Sequence, residues 1–195
     1  MSKNLFENSG LEYGDKVLVS ANTRNFLIKK SKNFESAAND IINMLIETVG
    51  KSGTVILPVF NWDFCKGVDF HYKKTLSHSG ALGKIALNRK DFIRTKNPIY
   101  SFVVSGKDSE IISELKHESC FGLDSPLGYL IKNKGKNLFL DLDYKKGGFV
   151  LIHVAEQSAK VDYRFHKQFT AFYTGRDNKK IKATYSMYVR DPKSR

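Results

Sequence analysis

The chain has 195 residues, 41% of them hydrophobic, and its 32 basic and 20 acidic side chains leave a net charge of +12. This composition suffices for one hydrophobic core, and no apolar run reaches the roughly 20 residues that span a bilayer. The N-terminus lacks the apolar segment of a signal peptide, and Cys65 and Cys120 fit neither a disulfide scaffold nor a zinc site. We therefore expect a cytoplasmic globular protein without a metal, and exclude a membrane protein and a collagen-like fibre.

The positive charge is concentrated towards the C-terminus. Residues 129–195 hold 15 basic and 6 acidic side chains, whereas residues 1–128 hold 17 and 14. A basic region of this kind is typical of proteins that bind nucleic acid, phospholipid head groups or small phosphorylated molecules. A generally lysine-rich composition produces the same excess about as often, so charge alone does not choose a partner.

The first elements in the chain are predicted to be a strand, a helix and a second strand. Residues 15–20 indicate a short buried strand, and the apolar spacing of residues 36–49 indicates an amphipathic helix that ends at Gly50. Residues 53–58 indicate the second strand, with Pro58 at its end rather than its middle. The connection is long enough for a parallel pair, as in α/β proteins.

The later elements continue this pattern and then change to antiparallel strands. Further strands are expected near residues 100–105 and 137–142, and two β-like runs, 169–174 and 182–189, flank a hairpin turn. Helices are expected near residues 80–89, 109–115 and 125–132. The sequence thus predicts one α/β domain over residues 1–195, with a central mixed sheet flanked by helices and a C-terminal antiparallel portion.

His153 and Glu156 are the residue pair with the clearest chemical potential. They stand three residues apart just beyond two glycines, and share one face if the segment is helical. Histidine is the side chain best able to take up a proton near neutral pH. From spacing alone, a structural histidine with a surface glutamate is the more common outcome. We interpret Cys120 as a buried inert thiol and the other histidines, including His117, as solvated.

Two loops carry aromatic and polar side chains close to predicted strands. Phe60 and Trp62 follow the second strand, at whose carboxyl end open α/β sheets bind ligands. Residues 97–101 combine a proline turn with a pair of hydroxyl side chains. Such a pattern occurs more often in an ordinary loop than in a binding site. The chain has no phosphate loop and no dinucleotide glycine fingerprint, so phosphates would be bound by basic side chains and helix ends.

Six blocks in order resemble the aminoglycoside 3-N-acetyltransferase family. Residues 53–62, GTVILPVFNW, are similar to the "GTLVMPTFTW" segment of that family. The block at residues 153–156 resembles its "HxAE" motif. The remaining blocks lie at residues 14–20, 79–83, 122–127 and 163–167. The resemblance covers residues from about 10 to 190.

This resemblance implies an enzyme that moves the acetyl group of acetyl-CoA directly to an amine, with neither a covalent enzyme intermediate nor a metal. His153 would be the general base and Glu156 would orient it or favour its protonated form. Backbone amides near residues 20–23 would stabilise the oxyanion. We expect Ser20, Thr23, Lys29, Lys30 and Phe60 to bind acetyl-CoA, and Trp62, Asn97, Tyr100, Ser101, Arg164 and Lys167 to bind the acceptor, the last two charges at its pyrophosphate.

This chain departs from the antibiotic-modifying members in residues that are expected to bind the acceptor. Those members carry "HPxHS" where this chain has residues 97–101, NPIYS, so both histidines are missing. Residues 184–190 resemble a branch that acetylates nucleotide-linked amino sugars, which favours a dTDP-linked 3-amino-3,6-dideoxyhexose. The alternatives are an aminoglycoside, a nucleic-acid-binding module, and a truncated CoA-binding relative without turnover, since the chain stops at Arg195. Our expectation is no nucleic acid and no membrane partner, and homodimer formation stays open.

Overall fold

The computed structural model describes residues 5–6, 8–22, 33–143, 145 and 147–194. Its larger sheet has five strands in the order β4-β5-β2-β1-β6. Strand β1 runs parallel to β2 and β6, whereas β5 is antiparallel to β2 and to β4, so the sheet is mixed as predicted. These strands are β1 (Lys16–Ala21), β2 (Thr54–Pro58), β4 (Ile93–Arg94), β5 (Phe102–Gly106) and β6 (Lys136–Leu140).

Helix α1 (Phe34–Val49) connects the parallel pair β1 and β2 and packs its apolar face on them. Asn33 begins it by accepting a hydrogen bond from the amide of Ser36 at 3.1 Å. Gly50 ends it at a φ of 63°, a conformation that glycine adopts without the strain of a Cβ. The predicted strand, helix and strand are therefore confirmed, including Pro58 as the last residue of β2.

Four shorter helices complete the layers around this sheet. The predicted helix near residue 125 is confirmed, since Ser125 caps it and Pro126 is its first residue. The segment after the paired glycines is helical, so His153 and Glu156 share a helix face. The helices are α2 (Ala81–Ala86), α3 (Ser109–Glu114), α4 (Pro126–Lys132) and α5 (Ile152–Ser158), and residues Asp63–Lys66 form a 3₁₀ turn.

The C-terminal hairpin of β7 (Arg164–Thr174) and β8 (Lys180–Arg190) forms a second sheet, confirming the antiparallel portion. The two-residue strand β3 (Phe70–His71) joins β7 in parallel. The sequence predicted neither β3 nor β4, because strands of two residues have no readable periodicity. One core cluster contains residues of both sheets, among them Leu18, Ile56, Phe102, Ala171 and Tyr173, so the fold is a single α/β domain.

Candidate active site

His153 lies in the first turn of α5 and is paired with Glu156 one turn later. Its Nδ1 is 2.6 Å from Glu156 Oε2, and a quarter of the histidine side chain is exposed, against 12% of the glutamate. The pair therefore presents the histidine to solvent and keeps the carboxylate behind it.

Glu156 is held by three neighbours at once. Besides His153, the hydroxyl of Tyr163 donates to Oε1 at 3.0 Å, and Arg164 Nε forms an ion pair with Oε2 at 3.0 Å. Burial raises the pKa of Glu156, but the hydrogen bonds from His153 and Tyr163 and the charge of Arg164 outweigh it, so the net pKa is lowered. Glu156 is thus a carboxylate at neutral pH.

This carboxylate decides which nitrogen of His153 is available for chemistry. A carboxylate can only accept hydrogen bonds, so His153 Nδ1 carries the proton that it donates to Glu156. In the neutral ring, Nε2 then keeps its lone pair and is free to accept a proton. The negative charge of Glu156 also stabilises the imidazolium that forms when Nε2 is protonated.

An aromatic wall made of Trp62, Phe60, Tyr100 and Phe121 leads up to His153. The ring centroids of Phe60 lie 6.4 Å from Trp62 and 4.4 Å from Tyr100, and Phe121 lies 4.8 Å from both Tyr100 and His153. Burial raises the pKa of Tyr100, so its hydroxyl is neutral. Trp62, 38% exposed, ends the wall at the surface. The wall brings the loop after β2 and the turn before β5 to the histidine.

Asn97 and Ser101, which we predicted to bind the acceptor, are buried beside this wall and shape it. Asn97 Oδ1 accepts from two amides of its own turn at 2.9 and 3.0 Å. Ser101 donates to the carbonyl of Val59 at 2.9 Å and accepts from the buried guanidinium of Arg94. Their bonds therefore hold Tyr100 in place beside the end of β2.

The residues predicted to bind acetyl-CoA lie in different settings. Ser20 lies at the end of β1, but its hydroxyl donates to the carbonyl of Gly148 at 2.7 Å and so ties down the loop before α5. The amide of Asn22 donates to Leu140 at 3.0 Å, so it is not a free oxyanion donor. Phe60 belongs to the wall. Thr23, Lys29 and Lys30 lie outside the described residues.

The two basic residues predicted to meet a pyrophosphate occupy different settings. Arg164 is committed to the protein, since besides its ion pair with Glu156 it donates from Nη1 to the carbonyl of Tyr188 at 3.0 Å. Its side chain is only 15% exposed, so most of its surface packs against the protein. Lys167 is exposed on β7, with Nζ 5.5 Å from the ring of Phe169.

Sequence reasoning missed Phe121 and Tyr163 as members of the site. Tyr163 stands in the quoted 163–167 block, which was the available signal, and Phe121 directly precedes the block at residues 122–127. The prediction that His117 is solvated was wrong, because it is half-buried and bonded through Nδ1 to the carbonyl of Ser119 at 2.9 Å. Cys120 is buried, and burial raises its pKa, in agreement with an inert thiol.

Two classes of feature are missing from the described part of the chain. None of its helices is long and apolar enough to cross a membrane. Within the same residues, no group of three or more histidine, cysteine, aspartate or glutamate side chains could hold a metal ion.

Comparison with known proteins supplies the family and the fold. The sequence profile described as aminoglycoside 3-N-acetyltransferase matches residues 28–194. The solved structure of AAC-IIIb in a binary complex with CoASH superposes with a TM-score of 0.77 at 21% identity, over 92% of this chain and 71% of that one. The YokD protein from Bacillus subtilis gives 0.74 at 21% identity, over 93% and 78%.

A further solved structure contains bound sisomicin. AAC-VIa bound to sisomicin superposes with a TM-score of 0.76 at 16% identity, over 92% of this chain and 71% of that one. No curated protein sequence matches the chain significantly. At these identities the solved structures show a shared fold, and the profile match over most of the chain shows the family.

Proposed function

Because the chain belongs to the aminoglycoside 3-N-acetyltransferase family, whose enzymes are acetyl-CoA-dependent N-acetyltransferases, we propose that it acetylates the amine of an amino sugar with His153 as the general base. The observation that carries this proposal is the 2.6 Å contact between His153 Nδ1 and Glu156, which leaves the lone pair of Nε2 to take up a proton, on a ring that lies 4.8 Å from Phe121 of the aromatic wall. Acetyl-CoA is the cosubstrate, and no metal takes part in the proposed reaction.

The proposed reaction moves one acetyl group and removes two protons from the protonated amine. An amine is protonated in water at neutral pH, so it first loses one proton to solvent and becomes a nucleophile. His153 Nε2 accepts the second proton as the amine nitrogen attacks the thioester carbonyl. The new carbon–nitrogen bond forms as the carbon–sulfur bond breaks, CoA leaves, and the imidazolium returns its proton to the thiolate. Glu156 stabilises the imidazolium meanwhile.

The CoA phosphates require cationic partners, which we place in the basic segment that follows β1 in the sequence. Lys29 and Lys30 follow the carboxyl end of that strand in the sequence, and charge-assisted bonds hold phosphates well. Thr23 is proposed as a further contact in the same segment. Calorimetry of CoA against 3′-dephospho-CoA tests this placement: we expect weaker binding of the dephospho form, and equal affinities would contradict a dedicated 3′-phosphate contact.

For the acceptor we propose a nucleotide-linked amino sugar, in particular a dTDP-linked 3-amino-3,6-dideoxyhexose. The residues NPIYS at 97–101 replace the histidine pair of the antibiotic-modifying members, and residues 184–190 resemble the nucleotide-sugar branch. Trp62 offers an exposed ring to a sugar or base, and Lys167 remains an exposed cation on β7 for the pyrophosphate.

An aminoglycoside is the second candidate acceptor, and it is favoured by a different observation. AAC-VIa, which shares the fold, has been solved with sisomicin bound. Next to Trp62 this chain carries Asp63, whose pKa is lowered chiefly by its hydrogen bond from Lys66 and which is therefore anionic at neutral pH. A carboxylate at the exposed end of the wall suits a cationic drug.

An assay of acetyl-CoA turnover with a panel of acceptors distinguishes the two proposed acceptor classes. We expect kcat/KM for the dTDP-linked amino sugar to exceed that for gentamicin or kanamycin by at least tenfold. Better turnover of the drugs would contradict the proposed acceptor and would leave the proposed reaction unaffected. CoA binding without turnover of any acceptor would contradict the enzymatic proposal altogether.

A further inference from the structure

The carboxylate of Glu156 is shared between a histidine and an arginine at a single oxygen. Oε2 lies 2.6 Å from His153 Nδ1 and 3.0 Å from Arg164 Nε. The two nitrogens are therefore separated by at most 5.6 Å, the sum of these contacts. His153 becomes a cation when Nε2 takes up a proton, so a permanent positive charge stands close to the candidate base in both of its protonation states.

Arg164 is held in this position by the C-terminal hairpin. Its Nη1 donates to the carbonyl of Tyr188 on β8 at 3.0 Å, and most of its side chain is covered by protein. Nε is buried and has no hydrogen-bond partner among the described residues, so its N–H bond is not directed at Oε2. The contact with Glu156 therefore acts through the charge of the guanidinium and not through a directed hydrogen bond.

The other titratable groups around the His153–Glu156 pair do not supply such a charge. The hydroxyl of Tyr163 donates to Oε1 at 3.0 Å, and this bond is the main cause of the raised pKa that keeps Tyr163 neutral. Burial raises the pKa of Tyr100 and of Cys120, so both are neutral as well. Arg190, which faces Arg164 across the hairpin, is exposed and forms no ion pair among the described residues.

The carboxylate and the guanidinium act on His153 in opposite directions. An opposite charge within about 6 Å favours the charged form of a titratable group, so Glu156 stabilises the imidazolium. Too strong a stabilisation leaves the ring protonated at neutral pH, where it can no longer take a proton from the amine. The guanidinium of Arg164 repels the imidazolium and offsets part of this stabilisation.

We propose that Arg164 is a positioning residue of the candidate active site, which fixes Glu156 against His153 and keeps His153 neutral, and so able to act as a base, at neutral pH. This inference rests on the proposed function, since it concerns the base of the same reaction. Arg164 performs this role without contact to acetyl-CoA or to the acceptor. The charge at the start of β7 then sets the lower limit of the pH range in which the enzyme works.

Substitutions at residue 164 separate the charge of the side chain from its packing. Arg164→Gln and Arg164→Met both remove the charge, and methionine keeps much of the apolar stem. Arg164→Lys keeps the charge and loses the planar fork that bonds to Tyr188. Arg190→Gln is the matched control, because it removes the same charge from the facing position of β8, where the side chain is exposed.

The first experiment measures kcat/KM between pH 5 and 9 for the acceptor that the panel identifies. We expect the midpoint of the acid limb to rise by about one pH unit in Arg164→Gln and Arg164→Met, since a neighbouring cation no longer opposes the imidazolium. At pH 6 kcat/KM should therefore fall by up to about tenfold, and the deficit should narrow towards pH 9. Arg164→Lys and Arg190→Gln should retain the wild-type midpoint.

Two results would overturn the inference. An unchanged midpoint in the neutral variants would show that Arg164 does not affect the protonation of His153. A loss of activity that is equal at every pH and shared by Arg164→Lys would show that Arg164 acts through packing alone. Far-UV circular dichroism establishes that each variant is folded, and if one neutral variant does not fold, the other decides.

A titration without turnover separates this inference from the proposed function. The ring-proton resonances of His153 are those missing from the spectrum of His153→Asn, and their titration midpoint is measured in protein without ligands. In both neutral variants we expect this midpoint about one pH unit above that of the wild type and of Arg190→Gln. If the shift is found while no acceptor is turned over, the proposed function fails and the role of Arg164 beside His153 stands. If acceptors are turned over and the shift is absent, the proposed function stands and this inference fails.

Discussion

At the scale of single residues, catalysis is proposed to depend on one atom, Nε2 of His153. The substitution His153→Asn keeps a nitrogen near Nδ1 for Glu156 and removes Nε2 alone. We expect kcat to fall by roughly 10²-fold or more, as is typical for the loss of a general base. Stopped-time assays of acetyl transfer measure the change, and calorimetry should find CoA affinity unaltered.

The control for this prediction is a histidine outside the site. His166 is exposed on β7, and His166→Ala should retain wild-type kcat. Wild-type kcat in the His153→Asn variant would show that the base lies elsewhere and that His153 is structural.

A second prediction at the residue scale concerns Glu156 and the pH dependence of the free energy of unfolding. Its folded-state pKa lies below the ordinary value of 4.5, so its carboxylate stabilises the folded protein above about pH 4.5. This stabilisation is lost as the pH falls through the folded-state pKa. We expect Glu156→Gln to lower the free energy of unfolding by about 1 to 2 kcal/mol at pH 7, and by much less at pH 3.

Urea titrations at the two pH values measure this difference. Glu47→Gln, on the exposed face of α1 and without an ion pair among the described residues, should change stability by less than about 0.5 kcal/mol at both. A loss in Glu156→Gln that persists undiminished at pH 3 would mean that packing, and not charge, accounts for it.

At the scale of elements, the aromatic wall depends on how closely α2 approaches the end of β2. A Cβ at Gly83 would overlap the carbonyl oxygen of Pro58 and lie 2.9 Å from Val59 Cγ1. In a free helix, glycine to alanine is stabilising by about 1 kcal/mol. Here we expect Gly83→Ala to destabilise the protein by about 1 to 3 kcal/mol, because backbone atoms must move.

The same displacement would reach the site, since Val59 accepts from Ser101 and precedes Phe60 in the wall. Acceptor KM should therefore rise in Gly83→Ala. The adjacent substitution Lys84→Ala, on the exposed side of α2, should leave thermal midpoint and KM unchanged. A stability gain in Gly83→Ala would contradict the close packing described here.

At the scale of the whole molecule, we propose that residues 1–195 unfold as one unit. Both sheets contribute to a single core cluster, and the ion pair of Arg164 with Glu156 joins β7 to α5. Trp62 is the sole tryptophan and reports on the wall, while far-UV circular dichroism reports on all elements. We expect coincident urea transitions from the two signals, as for a two-state domain. Separate midpoints would show that the hairpin unfolds independently.

Much of the fold follows from the sequence because its determinants are local. The apolar period of α1, the cap at Asn33 and the glycine after its last turn all lie within one short segment. The same holds for β1, β2 and the hairpin, and for the spacing that places His153 and Glu156 on one face of α5. Apolar periodicity and the residues that begin or end a helix act over a few positions, so they can be identified directly in the sequence.

Only the tertiary structure decided which of these side chains are buried, which are exposed and which partners they bond to. Residues 97 and 101 have the polar character of ligand-binding groups, yet both are buried, and Ser101 is bonded to Val59 and Arg94. Arg164 has the charge to bind a phosphate, yet its guanidinium forms an ion pair with Glu156. Phe121 stands beside His153 although the sequence places them far apart. Burial and partner choice depend on which distant segments pack together, and no local pattern encodes that.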